Sequence, residues 1–447
     1  MEWMTNSSVL WPTGRSSSSG LRQGRRKLSA RRHPAILEPF RVRNYRFQWT
    51  ADLVTSWALE METLVLGWYI LVETGSVVML TMFGALLFLG TLLSPMLGVV
   101  ADRIGQRRLL SILRTLYVIL SSVVVLVILL DKLTPELVLV IALLSGLVRP
   151  SEHGTRTSLM ASLVPAALLL TATSLTRTTV DSARVVGALV GSGLFAVVGI
   201  AATYLVILVL FCVGLVFTLA ISIQTSEEHG GRRLQASSRF APWKELREGL
   251  GYVWRTPHLR AAIWIAVLVN FTAFPLPIGL LPYVAQETFG TDQTGLGYLM
   301  AGFAIGSLAG SIILGVIGYK VRPARAMIFF AIAWHILLAS FLCVDQLALG
   351  IILIGLAGLA HNLSMVPLVG LLMRTADPAF RGRVMGVRML AIYTLPVSLV
   401  VAGWLIECIG FDQTMGLYML IGIVLTLFIA LRWREFVLRK DAVANVM

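Results

Sequence analysis

The sequence predicts an all-α membrane protein with twelve transmembrane helices. Hydrophobic residues make up 57% of its 447 residues, charged residues make up 13%, and the mean hydropathy is +0.82. A water-soluble protein of this length is far less apolar. Apolar runs of about 20 residues recur along the chain, and each is long enough to cross about 30 Å of hydrocarbon as a helix.

The apolar runs form two groups of six, which divides the chain into five regions. We expect a basic, disordered cytosolic tail (1–40), an N-terminal six-helix bundle (41–223), a cytosolic linker (224–258), a C-terminal six-helix bundle (259–434) and a second cytosolic tail (435–447). The predicted spans 1 to 12 lie at about 47–72, 77–100, 109–130, 136–156, 171–198, 201–223, 259–284, 294–318, 325–344, 348–372, 384–406 and 411–431.

Two segments outside the spans have recognisable compositions. From Trp243 to Trp254, apolar and charged residues alternate at helical spacing, which predicts an amphipathic helix on the membrane surface or a solvated linker helix. The first 40 residues are rich in arginine and serine and poor in acids. This composition is typical of a disordered tail, and an organellar transit peptide is the alternative.

The positions of the basic residues predict the topology. Ten of the 37 Lys and Arg residues lie in the first 46 positions, and most others fall in loops on the same side of the membrane. The opposite side receives Lys132 alone. By the positive-inside rule, both termini and the linker are cytosolic in a multi-pass protein of the cytoplasmic (inner) membrane. The net charge of +14 is therefore topological, and no nucleic-acid partner is expected.

The two groups of spans resemble each other, which indicates an internal repeat. A shift of 217 positions aligns glycines, basic residues and prolines in equivalent loops and spans. The aligned pairs are Gly98 with Gly315, Arg103 with Lys320, Arg108 with Arg325, and Pro150 with Pro367.

The loop after span 2 carries the most specific motif. Its residues are Gly98, Asp102, Arg103, Gly105, Arg107 and Arg108, and they resemble the signature between spans 2 and 3 of the major facilitator superfamily. The stretches at 40–49, 74–76, 181–193 and 380–386 are similar to the efflux branch that includes the enterobactin and macrolide exporters. The resemblance implies two six-helix bundles, spans 1, 4, 7 and 10 around a central cavity, alternating access, and a gating role for this loop.

Span 1 contains acidic residues at membrane depth, where a charge costs about 2.5–3.5 kcal/mol. Asp52, Ser56, Glu60 and Thr63 share one helical face, whereas Glu62 lies about 200° around the helix from Glu60. Glu60 is the first candidate for substrate binding or proton coupling, and Glu62 is the second. The alternative for Glu60 is a structural ion pair with an arginine of span 4 or 5.

Spans 4, 5 and 11 supply candidate arginines. Arg149 lies deep in span 4, where it could face an anionic substrate or pair with Glu60. Arg177, Asp181 and Arg184 follow i, i+4, i+7 spacing, which predicts a structural or gating ion pair with the aspartate between two arginines. Arg388 lies near the start of span 11, on the same membrane side as the gating loop.

Spans 7 and 10 carry the remaining substrate or coupling candidates, Asn270, His361 and Asn362. Three prolines after Asn270 predict a broken or kinked helix, and a broken helix at membrane depth is tolerated where it is buried in protein or lines a cavity. A lone buried histidine such as His361 is most often a packed residue. In span 8, glycines at every fourth position predict a close helix contact.

Together these patterns favour a secondary exporter of an amphipathic small molecule, siderophore or drug-like, coupled to proton entry. A lysophospholipid flippase or an uptake carrier of the same fold is the alternative, and a polytopic receptor or membrane enzyme is a remote one. The expected partners are the small molecule, protons and the lipid bilayer. The three scattered cysteines indicate no metal site, and no phosphate-binding loop, cofactor or catalytic constellation is expected.

Overall fold

The computed structural model describes residues 35–92, 100–101, 103–165, 168–222, 242–317 and 322–434. The tail before residue 35, Gly98, Asp102, most of the linker and residues 435–447 lie outside this part of the chain. The described residues are almost entirely helical. The prediction of an all-α membrane protein is therefore confirmed.

The twelve predicted spans correspond to helices α1 to α12. α5 and α6 are the parts of one helix, Leu169–Leu219, before and after a kink at Gly199. The others are α1 (Arg43–Thr74), α2 (Val77–Leu86), α3 (Gln106–Leu129), α4 (Pro135–Leu163), α7 (Pro257–Thr288), α8 (Gln293–Ile317), α9 (Pro323–Phe341), α10 (Leu347–Thr375), α11 (Arg381–Ile409) and α12 (Phe411–Arg432).

Within the described residues, nine helices are long and apolar enough to cross a membrane. This count takes Leu169–Leu219 as one helix and omits α1 and α2. Polar side chains lower the hydropathy of α1. The regular part of α2 has only ten residues and is followed by a short 3-10 helix, Leu89–Leu92, so the predicted span over 77–100 changes its helical geometry after Leu86, and its residues 93–99 lie outside the described part of the chain.

The chain reverses direction at Gly199 between α5 and α6. Its φ of 75° and ψ of 179° belong to a region that residues with a side chain rarely occupy. Gly187 of α5 packs beside Glu60 of α1, whereas further along the chain Gly214 of α6 has returned to Thr55. Gly199 alone therefore makes the turn between α5 and α6, and no separate loop connects the two helices.

α7 is irregular where its prolines lie. An α-helix runs from Pro257 to Thr272, and two π-helical segments follow, Leu276–Leu280 and Val284–Thr288. Proline removes a backbone donor and clashes with the preceding turn, so a widened helix is one way to accommodate it. The expected irregularity is present as π-helical turns.

The first six helices pack mainly with one another, and so do the last six. α1 lies against α4, α5 and α6, whereas α10 lies against α8 and α9. We call these two sets the N-half and the C-half. They meet along α2 with α11 and along α5 with α8. The bundle boundaries given above remain a prediction.

The linker helix, Pro242–Arg255, marks one end of the bundle, which we call the linker end. Glu248 forms an ion pair with Arg383 at 3.4 Å, and the ring of Tyr252 stacks on Phe380 at 4.5 Å. The helix is therefore packed against the start of α11. This contact was foreseen by neither the membrane-surface nor the solvated interpretation.

Glycines bring α8 and α10 into close contact, as the sequence predicted. A Cβ atom added at Gly306 would lie 1.8 Å from the carbonyl oxygen of Gly355, and one at Gly310 would lie 2.9 Å from the Cβ of Asn362. Close backbone packing of this kind is a common way for membrane helices to associate.

We expect the substitution Gly306→Ala to destabilise the protein by about 1–3 kcal/mol, because the added methyl group cannot fit against α10. Gly315→Ala is the matched control on the same helix, since its Cβ would meet nothing within 4 Å. Thermal unfolding in detergent measures both. Equal melting temperatures for the two variants would contradict the close contact.

Candidate functional site

A cavity of about 1430 Å³ lies between the N-half and the C-half. It is lined by residues of α1, α4, α7 and α10, as the sequence resemblance implied, and also by residues of α2, α5, α8 and α11. Ligand pockets commonly have volumes of about 300–1,000 Å³, so this space can hold a drug-sized molecule with room around it.

The cavity is open at the linker end and closed at the opposite end. Near the linker end, the side chain of Arg177 is 59% exposed and His153 and Gly154 are also exposed. At the opposite end, Gly67 packs against Pro282 and Gly84 packs against Leu399, which brings the two halves into contact. Among the residues that the structure describes, the cavity is therefore accessible at the linker end and obstructed at the opposite end.

Glu60 lines the cavity on α1. Its Oε1 lies 3.9 Å from Nε of Arg184 on α5, and the two side chains are 28% and 41% exposed. The missing side chain of Gly187 lets α5 pack closely here, because a Cβ at that position would lie 2.6 Å from the Cβ of Glu60. The sequence alternative of an ion pair with span 5 is therefore present, although the pair is loose and exposed.

Glu62 faces away from the cavity. The hydroxyl of Tyr204 on α6 donates a hydrogen bond of 2.7 Å to its Oε1, and Glu62 is only 6% exposed. It is not among the residues that line the cavity. A direct contact with a substrate is thus available to Glu60 and not to Glu62 in this conformation.

Arg149 binds α1 without forming an ion pair with Glu60. Its Nη2 donates to the carbonyl oxygen of Leu59 at 2.8 Å and to Oγ1 of Thr63 at 3.0 Å. No carboxylate of the described residues lies within 4.0 Å of it. The predicted ion pair between Arg149 and Glu60 is therefore not formed. Arg149 lies on the cavity wall, as the alternative of contact with an anionic substrate requires.

The predicted cluster on α5 is only partly formed. Asp181 is buried and pairs with Arg177 at 3.5 Å, whereas Arg184 turns toward Glu60. The predicted ion pair on α5 is therefore present between Arg177 and Asp181, whereas the placement of Asp181 between two arginines was wrong, since Arg184 lies beside Glu60 of α1 instead. Arg388 lines the cavity from α11.

A buried ionic network, which the sequence analysis missed, joins α1, α3, α4 and α6. Arg114 of α3 is 1% exposed, and its Nη2 lies 2.5 Å from Asp52 and 3.1 Å from Glu152. It also donates to Thr218 of α6. A single arginine inside an otherwise apolar span is itself the signal that could have revealed this network.

The C-half wall of the cavity is aromatic and amide-bearing. Asn270 donates to the carbonyl oxygen of Ala266 at 2.8 Å, and Asn362 donates to Oγ of Ser307 at 3.1 Å. The ring of His361 lies among Phe274, Phe303 and Trp334, with centroid distances of 5.0, 5.6 and 4.9 Å. All three polar candidates of spans 7 and 10 line the cavity.

The gating loop is described only in part. Gly98 and Asp102 lie outside the described residues, so the predicted latch remains a prediction. Gly105 begins α3 with a φ of 91°, which favours glycine. Arg107 donates to the carbonyl oxygen of Leu219 at 2.5 Å, and Arg103 and Arg108 are exposed.

A twelve-helix fold with a central cavity between its two halves defines a transporter of the major facilitator class. A mutant of the nucleoside transporter NupG shares this fold, with 14% identity, coverage of 87% of this chain and 100% of its own, and a TM-score of 0.72. The POT family transporter PepTSo aligns with 12% identity over 89% and 99%, at a TM-score of 0.69.

A bacterial homolog of the human lysosomal transporter Spinster aligns with 13% identity over 90% and 98% of the two chains, at a TM-score of 0.65. At such identities the likeness establishes the fold alone. A model of the transmembrane secretion effector family matches residues 35–442, and the chain belongs to this family. No curated protein sequence matches it.

Proposed function

We propose that the protein exports an amphipathic small molecule, siderophore or drug-like, across the cytoplasmic membrane by alternating access and in exchange for protons. The linker end then faces the cytosol, together with both termini. The observation that carries this proposal is the cavity of about 1430 Å³, which is open at the linker end and closed at the other. Such a cavity accepts a cytosolic solute before the halves rock to release it outside.

The lining of the cavity supports an amphipathic substrate. Its C-half wall is aromatic, whereas its N-half wall carries four arginines and two glutamates. Two of these arginines lie beside a carboxylate, Arg177 beside Asp181 at 3.5 Å and Arg184 beside Glu60 at 3.9 Å, whereas Arg149 and Arg156 form no ion pair among the described residues. The lining arginines and glutamates of the N-half are Arg149, Arg156, Arg177, Arg184, Glu60 and Glu152.

Proton coupling through Glu60 follows from its exposure. Glu152 also lines the cavity, but it is 2% exposed and already bound by Arg114 at 3.1 Å. Glu60 is 28% exposed in its side chain, and its partner Arg184 is at 3.9 Å. Of the two carboxylates that line the cavity, Glu60 is therefore the one that cavity water reaches, which supports its choice as the coupling candidate.

The experiment uses inside-out vesicles that contain the protein and carry a proton gradient, acidic inside. We expect at least one member of a panel of siderophores, macrolides and dyes to dissipate the gradient, because its entry into the vesicle is exchanged for protons. A pH-sensitive dye reports the change, and vesicles without the protein are the control. Dissipation by none of the panel, with the protein folded, would contradict proton-coupled export.

The same preparation distinguishes the two alternatives of this fold. An uptake carrier would move the compound out of inside-out vesicles, and a lysophospholipid flippase would accelerate the translocation of a fluorescent lysophospholipid while leaving the soluble panel unmoved. Either result would replace the export proposal.

A further inference from the structure

The two walls of the cavity differ in chemistry. Between residues 270 and 365, the lining residues include no Asp, Glu, Lys or Arg, and they include Phe274, Phe303 and Met300. The arginines and glutamates of the cavity belong instead to the N-half and to the start of α11. The apolar part of an amphipathic substrate is therefore matched by the part of the C-half wall that α7, α8 and α10 form.

His361 presents an unused hydrogen-bonding atom within this wall. The ring is 9% exposed, is stacked on Phe303 at an interplanar angle of 23°, and meets the edge of Phe274 at 76°. Its Nδ1 has no hydrogen-bond partner. In the neutral imidazole that carries its hydrogen on Nε2, this nitrogen is an acceptor.

Asn362, the next residue of α10, has a second unused acceptor. Its Nδ2 donates to Oγ of Ser307 at 3.1 Å, whereas its Oδ1 has no partner and the residue is 0% exposed. Two neighbouring polar groups are satisfied, since Asn270 donates to the carbonyl oxygen of Ala266 and Ser364 donates to that of Met327, whereas Nε1 of Trp334 also has no partner. Buried polar groups are almost always paired, so two adjacent unpaired acceptors at a cavity require an explanation.

We propose that Phe274, Phe303, His361 and Asn362 form a subsite for a planar aromatic group that carries an O–H or N–H donor. The ring of the ligand packs with the two phenylalanines, and its donor binds the acceptors of His361 and Asn362 after a small rotation of these side chains. The inference rests on the proposed function in so far as this cavity holds the substrate. The subsite would therefore take substrates that contain an aromatic ring with an O–H or N–H group.

Hydrogen-bond selectivity gives this subsite a distinctive signature. A site whose acceptors bind an O–H or N–H donor of the ligand rejects an analogue without that donor. The acceptors of the site would then stay buried without hydrogen-bond partners. A purely apolar pocket would bind both analogues alike. The pair 7-hydroxycoumarin and 7-methoxycoumarin differs in this one feature, and both compounds are fluorescent.

The test measures binding of both coumarins to the purified full-length protein in nanodiscs, at mildly acidic pH where the hydroxyl is protonated. We expect the wild type to prefer 7-hydroxycoumarin by about tenfold. His361→Phe keeps the aromatic packing and Asn362→Leu keeps the side-chain size, and each should remove most of the preference while binding of 7-methoxycoumarin persists. Equal binding of the two ligands by the wild type, or an unchanged preference in both variants, would overturn the subsite.

This experiment separates the subsite from the export proposal. Glu73→Gln should retain the coumarin preference, because Glu73 is an exposed carboxylate outside the cavity lining. If the wild type exported none of the compounds but still preferred 7-hydroxycoumarin, the proposed function would be refuted and the subsite would not. Loss of the preference in the Glu73→Gln variant would contradict the location of the subsite.

Discussion

Arg114→Leu should unfold the protein or lower its stability by about 3–5 kcal/mol, a large fraction of the 5–15 kcal/mol that is typical of folded proteins. The substitution removes the cation that lies 2.5 Å from Asp52 and 3.1 Å from Glu152. Two carboxylates would then remain buried with their closest partner lost. Thermal unfolding and the yield of monodisperse protein in detergent measure the effect.

Arg108→Leu is the matched control, because Arg108 is an exposed arginine on the same helix. Adding Asp52→Asn to the Arg114→Leu variant should recover part of the lost stability, since one of the two uncompensated charges is then absent. If Arg114→Leu melted at the same temperature as Arg108→Leu, the network would have no structural role.

Glu60→Gln should reduce transport driven by the proton gradient at least tenfold, because the amide preserves the size of the side chain and cannot carry a proton. The protein should still fold, since its partner Arg184 is 41% exposed and can be hydrated when the carboxylate is lost. The loss is measured as the rate at which the proton gradient drives the substrate into inside-out vesicles. Exchange of the substrate across the membrane without a gradient should persist.

Glu73→Gln provides the control on the same helix, because Glu73 is an exposed carboxylate outside the cavity lining. Full gradient-driven transport by Glu60→Gln would remove Glu60 from the coupling role. The parallel variant Glu62→Gln tests the second candidate, whose hydrogen bond from Tyr204 assigns it to the contact between α1 and α6.

The spans could be predicted from hydropathy because a helix that crosses hydrocarbon needs a long apolar run, and the lengths of α3 to α10 follow from it. α2 departs from this pattern, since its regular helix ends at Leu86 and a 3-10 turn follows. Hydropathy averages over the residues and is insensitive to such a change in backbone geometry. The π-helical turns of α7 were foreseeable only as an irregularity, because three prolines specify that the helix is disturbed and not how.

The candidate site could be predicted as a set of faces, but its partners could not. Helical spacing correctly separates Glu60 from Glu62, so that one lines the cavity and the other meets Tyr204. The same spacing placed Asp52 and Glu60 on one stripe, although Asp52 belongs to the network of Arg114. A helical wheel gives the direction of a side chain and contains no information about which helix it meets, and for the same reason Arg184 could not be assigned to Glu60.

Gly199 is the single non-helical residue between α5 and α6. α5 contacts the C-half where Gly297 of α8 packs directly against Ser192, and α6 contacts α1 through Tyr204. In the proposed alternating-access cycle, a movement at the boundary between the halves would reach the interior of the N-half through this one-residue connection. A residue with a side chain at position 199 would strain the connection between a helix that contacts the C-half and a helix that contacts α1, because its φ of 75° and ψ of 179° are rarely open to such residues.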